Sequence, residues 1–302
     1  MRTIVIEIQN EYDEAGIARA GEILRAGGLV AIPTETVYGL AANALDPAAV
    51  NKIFAAKGRP GDNPLIVHVA AFDEIRPLVT RIGEKAEKLA SLFWPGPLTL
   101  ILPKSAAVPD EVSAGLNTVA LRMPSHRVAV ALIKAAGVPL AAPSANVSGR
   151  PSPTTARHVL TDMDGRIDAV VDAGPCSIGV ESTVLSLAGS VPCLLRPGAV
   201  TARQIEEAVG VIDISPAVFS DTGNEQQAMS PGMKYKHYSP KAQVVILRGE
   251  LERFIGYVAA HRREGDAVLC FEGEQERMPL PAVTFGHEDN AREQAKRLFQ
   301  AL

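Results

Sequence analysis

The sequence predicts an α/β protein built as two unequal units. From residue 3 to residue 209, short apolar runs alternate with segments of helical spacing, the pattern of strands and the helices that cover them. Glycine and proline punctuate the joins. Between residues 210 and 243 the periodicity fails, and a second, shorter strand–helix series follows. The expected organisation is a first domain over 1–209, a connecting segment over 210–242 and a small α/β domain over 243–302.

The elements follow in order. Residues 3–8 alternate as a strand. Residues 14–26 have helical spacing, with Ile17, Ile23 and Leu24 on one face, and Gly27-Gly28 stops them. Residues 29–33 form an apolar strand. Pro33-Thr34-Glu35-Thr36-Val37-Tyr38-Gly39-Leu40 turns polar directly after it. Residues 47–56 form a helix that runs into Lys57-Gly58-Arg59-Pro60, and 65–69 form a strand carrying His68. An amphipathic helix over 82–93 is broken by Trp94-Pro95-Gly96-Pro97. Strands over 98–102 and 118–122, a helix over 126–136 and a strand over 138–142 come next. A helix starts at Ser152-Pro153-Thr154. Strands over 169–171, 180–184 and 193–195 and a capped helix over 201–209 close the first unit. The second unit reads as strand 244–247, helix 251–261, strands 267–271 and 282–285, and helix 291–301. It stops there without a closing strand, the mark of a trimmed or truncated domain.

Composition narrows the class. A chain of 302 residues suits about two domains. Apolar residues at 47% and charged residues at 21% are enough for a real core. A net charge of −4 argues against coating nucleic acid by bulk charge. The N-terminus lacks a signal-peptide pattern, and no apolar run is long enough to span a bilayer. Three scattered cysteines fit a reducing cytoplasm, and neither they nor the six histidines have metal-ligand spacing.

The informative residues sit where apolar runs end. Lys57 and Arg59 flank a glycine in a proline-stiffened loop, which reads either as an anion-binding loop or as a solvated basic loop. Arg122 and Arg196 each close an apolar strand, where a cation must pair or meet an anion. His68 is a ligand contact or a satisfied core histidine. Thr34 and Thr36 either line a site at a strand's carboxyl end or cap a turn. Ser144 lies in a small-residue loop that is either a binding loop or a plain turn. If the strands share one sheet, Lys57, Arg59, Arg122 and Arg196 converge with Thr36, Ser144, Ser152 and Ser182 in one basic concavity. Such a pocket suits a polyphosphate together with a carboxylate. No triad or carboxylate pair is evident, so catalysis by positioning and electrostatics, as in nucleotidyl transfer with Mg²⁺, is the natural expectation.

Four motifs in this order resemble a known family: Pro33–Leu40 as quoted above, Lys57-Gly58-Arg59-Pro60 with Asn63-Pro64-Leu65 and His68, Pro143-Ser144-Ala145-Asn146 with Ser148-Gly149, and Ser230-Pro231-Gly232-Met233 with His237-Tyr238-Ser239-Pro240. Together they resemble the long, two-domain YrdC-type L-threonylcarbamoyladenylate synthases over nearly the whole chain. The resemblance implies a YrdC-like twisted mixed sheet of α+β type with a deep basic cavity, and a smaller Rossmann-like C-terminal domain. It implies condensation of L-threonine, bicarbonate and ATP to threonylcarbamoyl-AMP and pyrophosphate in the cytoplasm, with Mg²⁺ accompanying ATP. A downstream enzyme then transfers the group to tRNA. Carried over, Lys57 and Arg59 are the catalytic cations. Thr36, His68, Arg122, Ala142 and Ser182 surround threonine. Arg59, Asn63, Thr118, Ser144, Ser152 and Arg196 hold ATP, and Tyr238 closes the pocket from the linker. The competing readings are an RNA-binding module without catalysis, which steep salt dependence would mark, and a different ATP-using transferase.

Overall fold

The computed structural model describes residues 2–219 and 242–302. Eleven strands form one mixed sheet, and the last of them lies past residue 209, in the segment expected only to connect the units, where it pairs with the edge of the sheet. In chain order they are β1 (Ile4–Glu7), β2 (Val30–Ile32), β3 (Gly39–Asn43), β4 (Ile66–His68), β5 (Leu98–Pro103), β6 (Thr118–Arg122), β7 (Leu140–Ala141), β8 (Ala169–Asp172), β9 (Thr183–Ser186), β10 (Cys193–Arg196) and β11 (Asp213–Ile214). The spatial order is β1-β8-β2-β3-β7-β4-β6-β5-β9-β10-β11. β4 runs parallel to β6, while β7 and β5 run antiparallel to them on either side. The helices are α1 (Glu14–Arg25), α2 (Pro47–Lys57), α3 (Glu84–Phe93), α4 (Asp110–Ser113), α5 (Arg127–Ala136), α6 (Ala156–Met163) and α7 (Ala202–Val209).

Capping residues set several helix ends. Asp13, Asp46, Thr155 and Thr201 each accept a first-turn N–H. Gly58 ends α2 with φ +60, a left-handed cap that glycine adopts without strain. Arg59 therefore follows a helix and precedes β4, so it is not a strand-end cation as Arg122 and Arg196 are.

Period-2 alternation gives the central strands two different faces. Val67, Leu100, Leu121 and Leu185 join the large core under α2, α3, α4, α6 and α7. The opposite face is covered by α1 and α5, which pack against each other and over Ile6, Val30, Ile32, Ala41, Leu140 and Val171. That cover reaches only as far as β7. Beyond it, the same face carries a small apolar cluster of Ile66, Ile101, Ala120, Val184 and Leu195. The candidate site lies on this face, where the helical cover ends.

The second unit contains α8 (Leu251–His261), β12 (Val268–Cys270), β13 (Ala282–Thr284) and α9 (Ala291–Ala301), with β12 and β13 parallel. The strand expected at 244–247 does not form. Val244, Val245 and Ile246 are exposed, and among the described residues no neighbouring strand takes their backbone hydrogen bonds. A β-branched run becomes a strand only where such a partner exists. β3 and the 3₁₀ turn Phe72–Leu78 were not anticipated. Among the described residues no helix is long and apolar enough to cross a membrane.

Candidate active site

The loop between antiparallel β2 and β3 carries the polar motif. Ile32 pairs with Gly39, and Thr34, Glu35 and Thr36 between them are all buried. The Thr34 hydroxyl donates to the Val37 carbonyl at 2.6 Å and lies 2.9 Å from the Thr36 hydroxyl. This turn keeps the Thr36 side chain toward β6, where Arg122 Nη1 donates to Thr36 Oγ1 at 2.9 Å.

Arg122 is the pivot of the site. It is 3% exposed. Its Nε donates to the Gly96 carbonyl at 3.3 Å, and its Nη2 lies 2.6 Å from Glu35 Oε1. Burial alone would raise the Glu35 pKa. The charge and hydrogen bond of Arg122, with backbone N–H groups of Glu35 and Ser125, hold it below the usual carboxylate range instead. Glu35 is thus ionised and locks the guanidinium plane.

His68 is the register partner of Arg122. Burial, and secondly the Arg122 charge, push its pKa down to about 3, so the ring is neutral. Its Nδ1 lies 3.2 Å from the Ile66 carbonyl, a hydrogen bond in the tautomer that carries the proton on Nδ1, and the Leu140 carbonyl also acts on the ring. On the other side of β6, Ser182 Oγ lies 2.8 Å from Thr99 Oγ1. Arg196 holds the Ser182 carbonyl through Nε at 3.0 Å and Nη2 at 2.9 Å, and its Nη2 reaches Ser182 Oγ at 3.1 Å.

The other expected residues gather at the opposite end of β4 and β6. Thr118 is four residues before Arg122, about 13 Å along the strand at the usual rise. Asn63 precedes β4 at that same end and is fully buried. Among the described residues neither atom of its amide has a hydrogen-bond partner. A buried amide with both functions unused is costly unless a ligand engages it. Arg59 Nη2 donates to the Asn63 carbonyl at 3.0 Å. Ser144 belongs to the segment after β7, bridged to Gly39. Its carbonyl accepts from Lys57 Nζ at 2.5 Å, and the Asn146 carbonyl does so at 2.6 Å. Burial, then the Arg59 charge, bring the Lys57 pKa down to about 7, with Asp162 and Glu181 pulling the other way. Ala142 lies between the two ends, its N–H donating to the Ile66 carbonyl.

The expected residues therefore form two groups at opposite ends of β4 and β6. Thr36, His68, Arg122 and Ser182 stand at one end; Arg59, Asn63, Thr118, Ser144 and Lys57 stand at the other. Ser152 and Arg196 lie between the two: Arg196 donates to Ser182, while Ser152 donates to Glu181, whose charge also acts on Lys57. Tyr238, and the motif that contains it, lie outside the described residues. Sequence reasoning missed Glu35, Thr99, Asn146 and Glu181. Thr99 had a signal, a lone hydroxyl inside Leu98-Thr99-Leu100-Ile101-Leu102. Burial raises the Cys176 thiol to about 12, which leaves it inert.

A family model described as "Telomere recombination", of the Sua5, YciO and YrdC proteins, matches residues 22–198, and one described as "Threonylcarbamoyl-AMP synthase, C-terminal domain" matches residues 200–302. The threonylcarbamoyl-AMP synthase of Pyrococcus abyssi is 46% identical over 99% of this chain and 88% of its own length. The chain belongs to the threonylcarbamoyl-AMP synthase family. The Bacillus subtilis synthase is 52% identical over 86% of this chain and 74% of its own length. The crystal structure of P. abyssi Sua5 complexed with L-threonine superposes with a TM-score of 0.93 at 46% identity, covering 99% of this chain and 88% of that one. Like its synthase relatives, the chain is an ATP-dependent enzyme of the nucleotidyltransferase type, so the reading as a non-catalytic RNA-binding module falls away.

Proposed function

We propose that this chain condenses L-threonine, bicarbonate and ATP into threonylcarbamoyl-AMP and pyrophosphate on the half-covered sheet face. The observation that carries this reading is the division of the expected residues into two ends of different chemistry. Arg122, Thr36, His68 and Ser182 form a buried end with one guanidinium fork and three hydroxyl or imidazole groups. That set fits an amino acid with a hydroxyl side chain: carboxylate on Arg122, hydroxyl on His68 or Ser182. A site built to bond the hydroxyl rejects analogues that lack it. Lys57, Arg59, Asn63, Thr118 and Ser144 suit the nucleotide, and Arg196 and Ser152 lie between the two.

The chemistry follows from that placement. The threonine amine forms a C–N bond to the bicarbonate carbon as water leaves, and the resulting N-carboxylate attacks the α-phosphorus of ATP. An O–P bond forms, the bond to the β-phosphate oxygen breaks, and pyrophosphate leaves with the electron pair. Lys57 and Arg59, fixed by backbone carbonyls, meet the charge that develops on phosphoryl oxygens without reorganising. Among the described residues no three His, Cys, Asp or Glu side chains gather as a metal site. Glu35 is committed to Arg122 and Glu181 to Ser152. Mg²⁺ would accompany ATP on its phosphates, where it would offset the charge on the phosphoryl oxygens. The product passes to a separate enzyme that modifies tRNA. A direct contact of this chain with tRNA would show as salt-dependent binding.

The test is pyrophosphate release from ATP with threonine or bicarbonate omitted in turn. Release that needs both, with the mass of threonylcarbamoyl-AMP in the product, supports the assignment. Release without threonine would assign a different acceptor.

A further inference from the structure

The last helix of the second unit lies directly behind the threonine end of the site. A Cβ built on Gly179 would fall 2.5 Å from Lys296 Cα, 2.6 Å from the Lys296 carbonyl oxygen and 2.7 Å from that of Ala295. Only glycine allows α9 to come this close. Phe299, three residues further along α9, is buried as well.

On its inner side the same segment is tied to the substrate loop. The Gly179 N–H donates to the Thr36 carbonyl at 3.0 Å, and the Ile178 N–H to the Glu35 carbonyl at 2.8 Å. Two and three residues on, Glu181 receives the Ser152 hydroxyl and Ser182 is gripped by Arg196. Gly198 closes over this stretch, where a Cβ would lie 2.5 Å from Thr183 N and 2.7 Å from the Glu181 carbonyl. Residues 178–183 thus form a strap, with α9 on one side and Thr36 and Ser182 on the other.

We propose that α9 is a positioning element of the threonine site. By backing Gly179 it fixes the strap, and through the strap it sets Thr36 and Ser182. The C-terminal unit contributes to threonine affinity in this way without touching the substrate. The proposal rests on the assignment of Thr36 and Ser182 to threonine.

Gly174 supplies the control. It lies in the same connection and has φ +84, against +85 at Gly179, but a Cβ there meets nothing within 4 Å. Gly174→Ala and Gly179→Ala share the left-handed strain; only the second pushes on α9. Threonine and ATP affinities are measured by calorimetry on the full chain, with melting temperatures in parallel. Gly179→Ala is expected to weaken threonine binding about tenfold more than Gly174→Ala, some 1.4 kcal/mol. Phe299→Ala, which loosens α9 without straining the strap, should shift threonine affinity in the same direction and serves if Gly179→Ala does not fold. Equal threonine affinity in the alanine pair, or an unchanged value in Phe299→Ala, overturns the proposal. Thr36→Val separates the two possible failures. If it loses threonine while Gly179→Ala does not, the positioning role alone is wrong. If neither changes, the site assignment beneath it is wrong.

Discussion

Replacing Arg122 by methionine should damage stability and threonine binding by separable routes. Arg122 and Glu35 are 3% and 4% exposed and 2.6 Å apart. Removing the guanidinium leaves a buried carboxylate without its counter-charge, a change that typically costs about 3–5 kcal/mol. Restoring neutrality with Glu35→Gln in the same chain should recover most of that loss, because a neutral buried pair is far less costly than a lone charge. Threonine binding should stay lost in the double variant, since the fork for its carboxylate is gone. The pH dependence has a definite sign. Without Arg122 the Glu35 pKa rises, so the single variant's deficit is full above that raised pKa and shrinks as acid neutralises the carboxylate. Urea unfolding at pH 8 and pH 5, with threonine titration by calorimetry, reads all three quantities. A double variant no more stable than Arg122→Met, or one that binds threonine normally, would refute this reasoning.

Three further outcomes are expected. Lys57, held at about 7 in the free protein, should be driven to its charged form by the phosphates of ATP. Binding at pH 8 should then take up a proton, above the phosphate's own second pKa of about 6; calorimetry in buffers of different ionisation heat measures it, and Lys57→Met should abolish the uptake and slow synthesis by about 100-fold or more. His68, with its pKa lowered to about 3, binds a proton only in the unfolded chain below about 6.5. Its share of stability is therefore present at neutral pH and is lost as acid is added, by up to about 1.4 kcal/mol per pH unit; His68→Gln should flatten that slope between pH 6 and 4. Ser182→Ala should narrow the preference for threonine over its hydroxyl-free analogue 2-aminobutyrate, measured as a ratio of kcat/KM, while ATP affinity changes little.

The fold was most legible where local signals agreed. Residues 251–261 and 291–301 read as helices from spacing alone, and α8 and α9 occupy those residues. β3 was missed because Gly39-Leu40-Ala41-Ala42-Asn43 lacks β-branched residues; pairing on both sides makes it a strand. The run at 244–247 failed for the opposite reason, having strand chemistry without a neighbour. In the site, the cations and hydroxyls were legible because each broke an apolar run at its end. Glu35 and Glu181 were not, since a carboxylate in a pocket meant for anions looks misplaced until its partner, Arg122 or Ser152, is known. That partnership is long-range and leaves no trace in spacing.

On the placement proposed for threonine and ATP, β4 and β6 act as a ruler. Arg122 marks one graduation and Thr118 another, with the gap set by strand rise rather than by loop length. A slip of one residue in either strand would turn His68 or Arg122 toward the packed core beneath α2, α3 and α6. The spacing between amino acid and nucleotide is thus protected by the same backbone pairing that holds the sheet together. Adapting this enzyme to a longer amino acid would call for changes at Thr36 and Ser182, which stand on the connections, and not along the ruler itself.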